Sequence, residues 1–196
     1  MADPSYIVDG VLTDGEAWVA LAKTTLGSDT ASVTFTSTDD GQVGDWSQYM
    51  DLVMISYGRT TGVGSTDREL NMQLNADTGS NYHAQSVRSY STGITGQWTS
   101  SPAVRFEIGQ NTSSNAGANT FAVTVTELFD INSGKYKSML LQFADDHDGS
   151  GYVGMIASTY KSQAPITEID LVDHNGGILI AGSRYDLFGV LPRMVA

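Results

Sequence analysis

Short runs that alternate between apolar and polar side chains fill most of this chain. The run 32–37 sets Val33 and Phe35 on one face, 69–75 does the same with Leu70, Met72 and Leu74, and 103–108 with Val104, Phe106 and Ile108. Side chains of an extended strand point to opposite faces in turn, so a period of two predicts half-buried β-strands. Residues 121–129 continue the pattern, and 139–143, 152–160, 166–172, 178–181 and 185–190 are further candidates. The run 51–57 is nearly continuous apolar, as expected of a central strand buried on both faces. Within 16–26, Trp18, Leu21 and Leu26 could share a helical stripe, but Thr24, Thr25 and Gly27 favour a strand.

Between the runs stand Asp40-Gly41, Asp77-Thr78-Gly79-Ser80-Asn81, Asn132-Ser133-Gly134, Asp148-Gly149-Ser150-Gly151 and Asn175-Gly176-Gly177. Such residues accept left-handed backbone or hydrogen-bond to it locally, so they mark turns. Roughly ten strands at near-regular spacing predict an all-β fold, an antiparallel jelly-roll-like β-sandwich. It is expected over residues 16–196, behind an N-terminal arm at 1–15 that carries Pro4, Gly10, Gly15 and one apolar patch. Residues 58–67 and 109–119 read as longer, turn-rich connections.

Composition sharpens the class. Of 196 residues, 40% are hydrophobic and only 16% charged, with 21 glycines among many small polar residues. That exchange suits strands and turns and is poor for long helices. The net charge of −12 opposes nucleic acid and anionic membrane surfaces, whose recognition rests on cationic contacts. The absence of cysteine removes disulfides, thiol nucleophiles and thiolate metal sites. No basic stretch followed by an apolar one opens the chain, and no run approaches a membrane span, so synthesis in a cytoplasm is expected.

Candidate chemistry is sparse. Of the three histidines, His83 lies on a polar strand edge, and His147 and His174 lie at turns beside aspartates. No Gly-x-Ser-x-Gly elbow accompanies them, so no catalytic residue is assigned and no enzyme is expected. Asp145-Asp146-His147-Asp148-Gly149-Ser150-Gly151 has the acid-and-glycine texture of a calcium loop, with Asp146 and Asp148 as weak candidate ligands. The position that should carry a bidentate glutamate is Ala157, so a hairpin turn with solvated acids is expected, with no metal or cofactor. Gly62-Val63-Gly64-Ser65 lacks the Lys-Ser/Thr of a phosphate loop. Trp18, Trp46, Trp98 and nine tyrosines could stack on sugars, but they are scattered as core and interface aromatics are.

Three segments resemble structural proteins of tailed bacteriophages. They are Trp18 to Phe35; Tyr49 to Arg59 with Leu70-Asn-Met-Gln-Leu-Asn-Ala-Asp-Thr-Gly-Ser-Asn-Tyr82; and 166–171 with Ile178-Leu-Ile-Ala-Gly-Ser-Arg-Tyr-Asp-Leu-Phe-Gly-Val190. The resemblance implies a jelly roll that trimerises, either on a capsid as a cement or decoration protein or in a tail fibre or receptor-binding protein. The chain has no coiled-coil or repeat shaft, which favours the decoration role, with the major capsid protein as partner and the virion as location. An extended arm can add as a strand to a neighbour's sheet, so Tyr6, Ile7 and Val8 are the expected partner-binding residues. The alternative is a tail-associated module that grips a host glycan or protein. A glycan-cleaving tailspike would need paired carboxylates in a groove.

Overall fold

Alternation decides what each strand buries, and the sheets follow from it. The computed structural model describes residues 7–8, 11–12, 18–62, 67–90, 93–147, 150–174 and 176–191, with 7–8, 11–12 and 97–102 as backbone alone. Its strands are β1 (Ile7–Val8), β2 (Val11–Leu12), β3 (Trp18–Thr25), β4 (Ser32–Thr36), β5 (Asp51–Thr60), β6 (Asp67–Leu74) and β7 (Tyr82–Tyr90). They continue as β8 (Gly93–Ala103), β9 (Phe106–Ser113), β10 (Ala122–Phe129), β11 (Lys137–Ala144), β12 (Tyr152–Tyr160), β13 (Glu168–Asp173) and β14 (Arg184–Val190). A short 3-10 turn, Trp46–Gln48, precedes β5. No helix among the described residues is long and apolar enough to cross a membrane.

Apart from the two-stranded β1–β2 ribbon, the pairings build two sheets. The larger runs β3-β14-β5-β10-β11-β12-β7-β8, and the smaller runs β4-β13-β6-β9. Every contact is antiparallel except a two-residue parallel link, Arg59 with Thr112 and Thr60 with Ser113, which joins the end of β5 to β9. Setting β7–β8 and β11–β12 aside and numbering the other eight long strands in chain order, the larger sheet begins 1-8-3-6 and the smaller reads 2-7-4-5. That interleaving of the two halves of the chain is the jelly-roll order. The fold is therefore an all-β jelly-roll sandwich. Two inserted hairpins, β7–β8 and β11–β12, widen its larger sheet.

The core lies between the sheets. Leu70, Met72 and Leu74 of β6, Phe106 and Ile108 of β9, and Ile169 and Leu171 of β13 face Leu52 and Met54 of β5, Leu141 of β11 and Leu187 of β14, all buried. β9 packs across β10, β11 and β12 without hydrogen-bonding to them. This close approach needs Gly109, whose φ is +123° and whose Cβ would stand 2.7 Å from both Phe143 Cβ and Thr124 Oγ1.

Several elements depart from the expected pattern. The run expected at 103–108 is broken: β8 ends at Ala103, Val104 is exposed, and β9 starts at Phe106. The connection expected at 109–119 is strand as far as Ser113, with Gln110, Asn111, Thr112 and Ser113 buried. Likewise β5 carries strand structure through Thr60 into the connection expected at 58–67. The expected strand 178–181 is reduced to bridges from Leu179 to Thr30 and Thr60. Trp46 belongs to the core, whereas Trp18 is exposed and packs against Phe188.

Candidate functional site

The widened sheet creates a cleft. Because β12, β7 and β8 extend past the smaller sheet, their inner face overhangs its edge strand β9. Beneath the overhang lies a cavity of about 440 Å³, lined by Glu69 and Asn71 of β6, His83 of β7, Arg105, Glu107 of β9, and His174 just after β13. A neighbouring hollow of about 250 Å³ shares Glu69 and His174 and adds Arg68, Arg88, Gln110 and Tyr152.

Ion pairs organise this lining. Arg88 Nη1 lies 3.2 Å from Glu107 Oε1, and Gln110 Nε2 donates to the same oxygen at 3.1 Å. His174 Nδ1 stands 3.1 Å from Glu69 Oε2 and 3.1 Å from Asn71 Nδ2. Arg88 also sits 5.4 Å over the Tyr152 ring. Burial, and then the nearby Glu69 charge, push the Glu107 carboxyl up from 4.5 to about 7, against the pull of Arg88. Near neutrality Glu107 can thus present either an acidic proton or a charge, while Glu69 stands beside a half-exposed histidine. Pairs of carboxyls in unlike surroundings can divide donor and acceptor roles toward a ligand.

Glu107 has a measurable consequence. Its folded pKa lies above its unfolded value, so the folded state holds the proton more tightly. That stability is fully present below about pH 4.5 and is lost as the pH rises through about 7, by at most about 3 kcal/mol. Urea unfolding at about pH 5 and about pH 8 is expected to show the loss, and Glu107→Gln to flatten it. An unchanged slope in that variant would refute the assignment.

His83 and His174 both line the cleft, although they stand 91 positions apart in the sequence. His147 is elsewhere: its side chain is 4% exposed, with Nε2 2.9 Å from the buried Asp145 Oδ2, though without hydrogen-bond geometry. The acids of this hairpin are therefore not all solvated as expected. Asp145 is buried because its carboxylate accepts the Tyr152 amide and closes the turn, and burial raises its pKa. Asp146 lies in the same turn and Asp148 is outside the described residues. Among the described residues no group of three histidine or acidic side chains could hold a metal ion. Tyr6 also lies outside them, and Ile7 and Val8 form β1, paired with β2.

A second feature has no counterpart in the sequence reading. The outer face of the larger sheet is apolar where an antiparallel sheet normally turns polar residues to water. Val123 and Val125 of β10, Leu140 of β11, Val153 and Met155 of β12, Val87 of β7 and Ile94 of β8 point outward together. Val153 is 59%, Val87 51% and Ile94 81% exposed. A hollow of about 560 Å³ runs among them.

No protein-family profile matches this chain, and no curated protein matches it. Among solved structures it is similar to the CBM40 of a Ruminococcus gnavus IT-sialidase bound to α2,6-sialyllactose, at 9% identity and a TM-score of 0.30, covering 89% of this chain and 95% of that one. The same module bound to α2,3-sialyllactose gives 11% identity and a TM-score of 0.28 over the same shares. Likeness at that level leaves the function of this chain to its own residues.

Proposed function

We propose that this chain is a structural protein of a phage virion, a capsid cement or decoration protein that binds the outer capsid surface as a trimer and stabilises the shell. The observation that carries an assembly role is the outer face of the larger sheet. Contiguous exposed β-branched and long apolar side chains of this extent mark surfaces that are covered in the working state. The phage setting comes from the three sequence segments, and the N-terminal arm, through Tyr6, Ile7 and Val8, is the proposed attachment to the major capsid protein. Repeated capsid sites make even a weak contact persistent once several linked subunits engage. The chain then acts without catalysis, after synthesis in the host cytoplasm.

Quantitative mass spectrometry of purified virions tests this reading. A copy number near that of the major capsid protein is expected, and a dozen or fewer would overturn it. The cleft favours a second reading, a tail-associated module that grips a host glycan or protein. Its arginines, histidines and carboxyls offer the mixed donors and acceptors that a polar ligand needs. Binding of the isolated protein to host cells at micromolar concentration, lost in Arg105→Ala, would support that reading over the first.

A further inference from the structure

We propose that the apolar outer face of the larger sheet is covered by a second copy of this chain. The inference deepens the assembly reading and rests on it, because it names the occupant of the face that carries that reading.

The first argument is charge. The chain carries −12, yet the described outward positions of this face balance: Lys23, Arg59 and Arg184 against Asp51, Glu127 and Asp186. The half formed by β11, β12, β7 and the described side chains of β8 has no outward charge at all. A basic partner would be drawn to the acidic remainder of the surface instead. A neutral, charge-depleted face fits another neutral face, as interface centres do. It is also where two acidic copies can meet without opposing charges of like sign.

The second argument is size and shape. The five strands that carry the apolar side chains, about 4.8 Å apart and each about seven residues long at about 3.3 Å, give a face of roughly 550 Å², which neighbouring strands extend toward the about 800 Å² per partner of an interface of standard size. Sheet faces pack on one another at about 10 Å when both are apolar. A copy of this chain brings a face of matching spacing and character, in a twofold contact that stands beside the threefold one of the assembly reading and does not form it.

Sedimentation velocity of the full chain at about 50 mM and about 500 mM salt tests the proposal. Like-charged molecules held by an apolar contact associate more strongly as salt screens their repulsion, whereas a contact with a basic partner weakens. A mass of two or more times 20.9 kDa at micromolar concentration, rising with salt, is expected. Val153→Lys and Val87→Lys are each expected to weaken association at least about tenfold, since an unpaired lysine would be buried. Both lower the net negative charge, so general repulsion cannot explain the loss. Thr36→Lys, exposed on the smaller sheet, is the control and should associate normally. Monomer at about 100 µM in both salts, or unaltered association of Val153→Lys with a native melting curve, would overturn the proposal. A monomeric protein that still decorates virions at high copy number would remove this inference and the trimer, and leave the capsid-binding role standing.

Discussion

Replacing Arg68 by alanine is expected to lower folding stability by about 3–5 kcal/mol, the range for stranding a buried charge. Its partner Asp173 closes β13 with a side chain that is 0% exposed, and Arg68 Nη2 donates to it at 2.8 Å and Nε at 3.3 Å. The same carboxylate accepts from Thr60 Oγ1 at 3.1 Å and from the Gly177 amide at 2.8 Å. One buried anion thus ties the ends of β5, β6 and β13 to the turn that follows. The guanidinium pairs with it as a cation, and the pairing raises the Arg68 pKa further, chiefly through the hydrogen bond. Urea midpoints should rank wild type above Arg68→Lys, which keeps the charge and loses the two-pronged contact. Arg68→Ala should fall below both. Adding Asp173→Asn to Arg68→Ala should recover part of the loss, because the stranded charge is then gone. A double variant no better than the single one would show that packing, and not the buried charge, sets the cost.

The sequence made the sandwich legible wherever one face of a strand meets the core and the other meets water. β4 and β6 show it, and the phases read for Val33 and Phe35 and for Leu70, Met72 and Leu74 are the buried ones. β7 hides from such a reading because its inward Arg88 serves the cleft and its outward Val87 serves the apolar face, which inverts the usual polarity. Residues 110–113 read as loop because they are polar. They are buried polar strand, sitting where β9 passes from β6 to the end of β5. The cleft was out of reach for another reason. Glu69, His83, Glu107 and His174 come from four separate parts of the chain, and only the overhang of the inserted hairpins brings them together. The apolar face did leave a signal: in 152–160, Val153 and Met155 stand out of phase with the buried Ile156. Apolar residues on both phases of one strand are the mark of a sheet covered on both sides.

The motif Asp77-Thr78-Gly79-Ser80-Asn81 reads as a turn, and its chemistry predicts a loss of about 2–4 kcal/mol for Asp77→Ala, from several charge-assisted bonds removed at once. Asp77 Oδ1 accepts from the Gly79 amide at 2.7 Å, while Oδ2 accepts from Asn81 Nδ2 at 2.8 Å and from Tyr160 Oη at 2.9 Å. Tyr160 is 2% exposed and stacks at 5.0 Å on Tyr82, whose hydroxyl donates to Asp77 O and whose pKa burial pushes up to about 12. Phe106 meets Tyr82 edge-on at 4.8 Å, so the turn carboxylate anchors an aromatic cluster that bridges the sheets. Alanine would leave a buried tyrosine hydroxyl without its acceptor and free the turn. Asparagine would keep the bond from Gly79 and should cost about half as much. The bond from Asn81, and then that from Gly79, hold the Asp77 carboxyl below its ordinary 3.8. Its contribution is therefore present above that value and lost as the pH falls below it, so acid unfolding of Asp77→Ala should be less steep than that of wild type. Equal acid limbs in the two proteins would show that the aromatic cluster stands without its anchor.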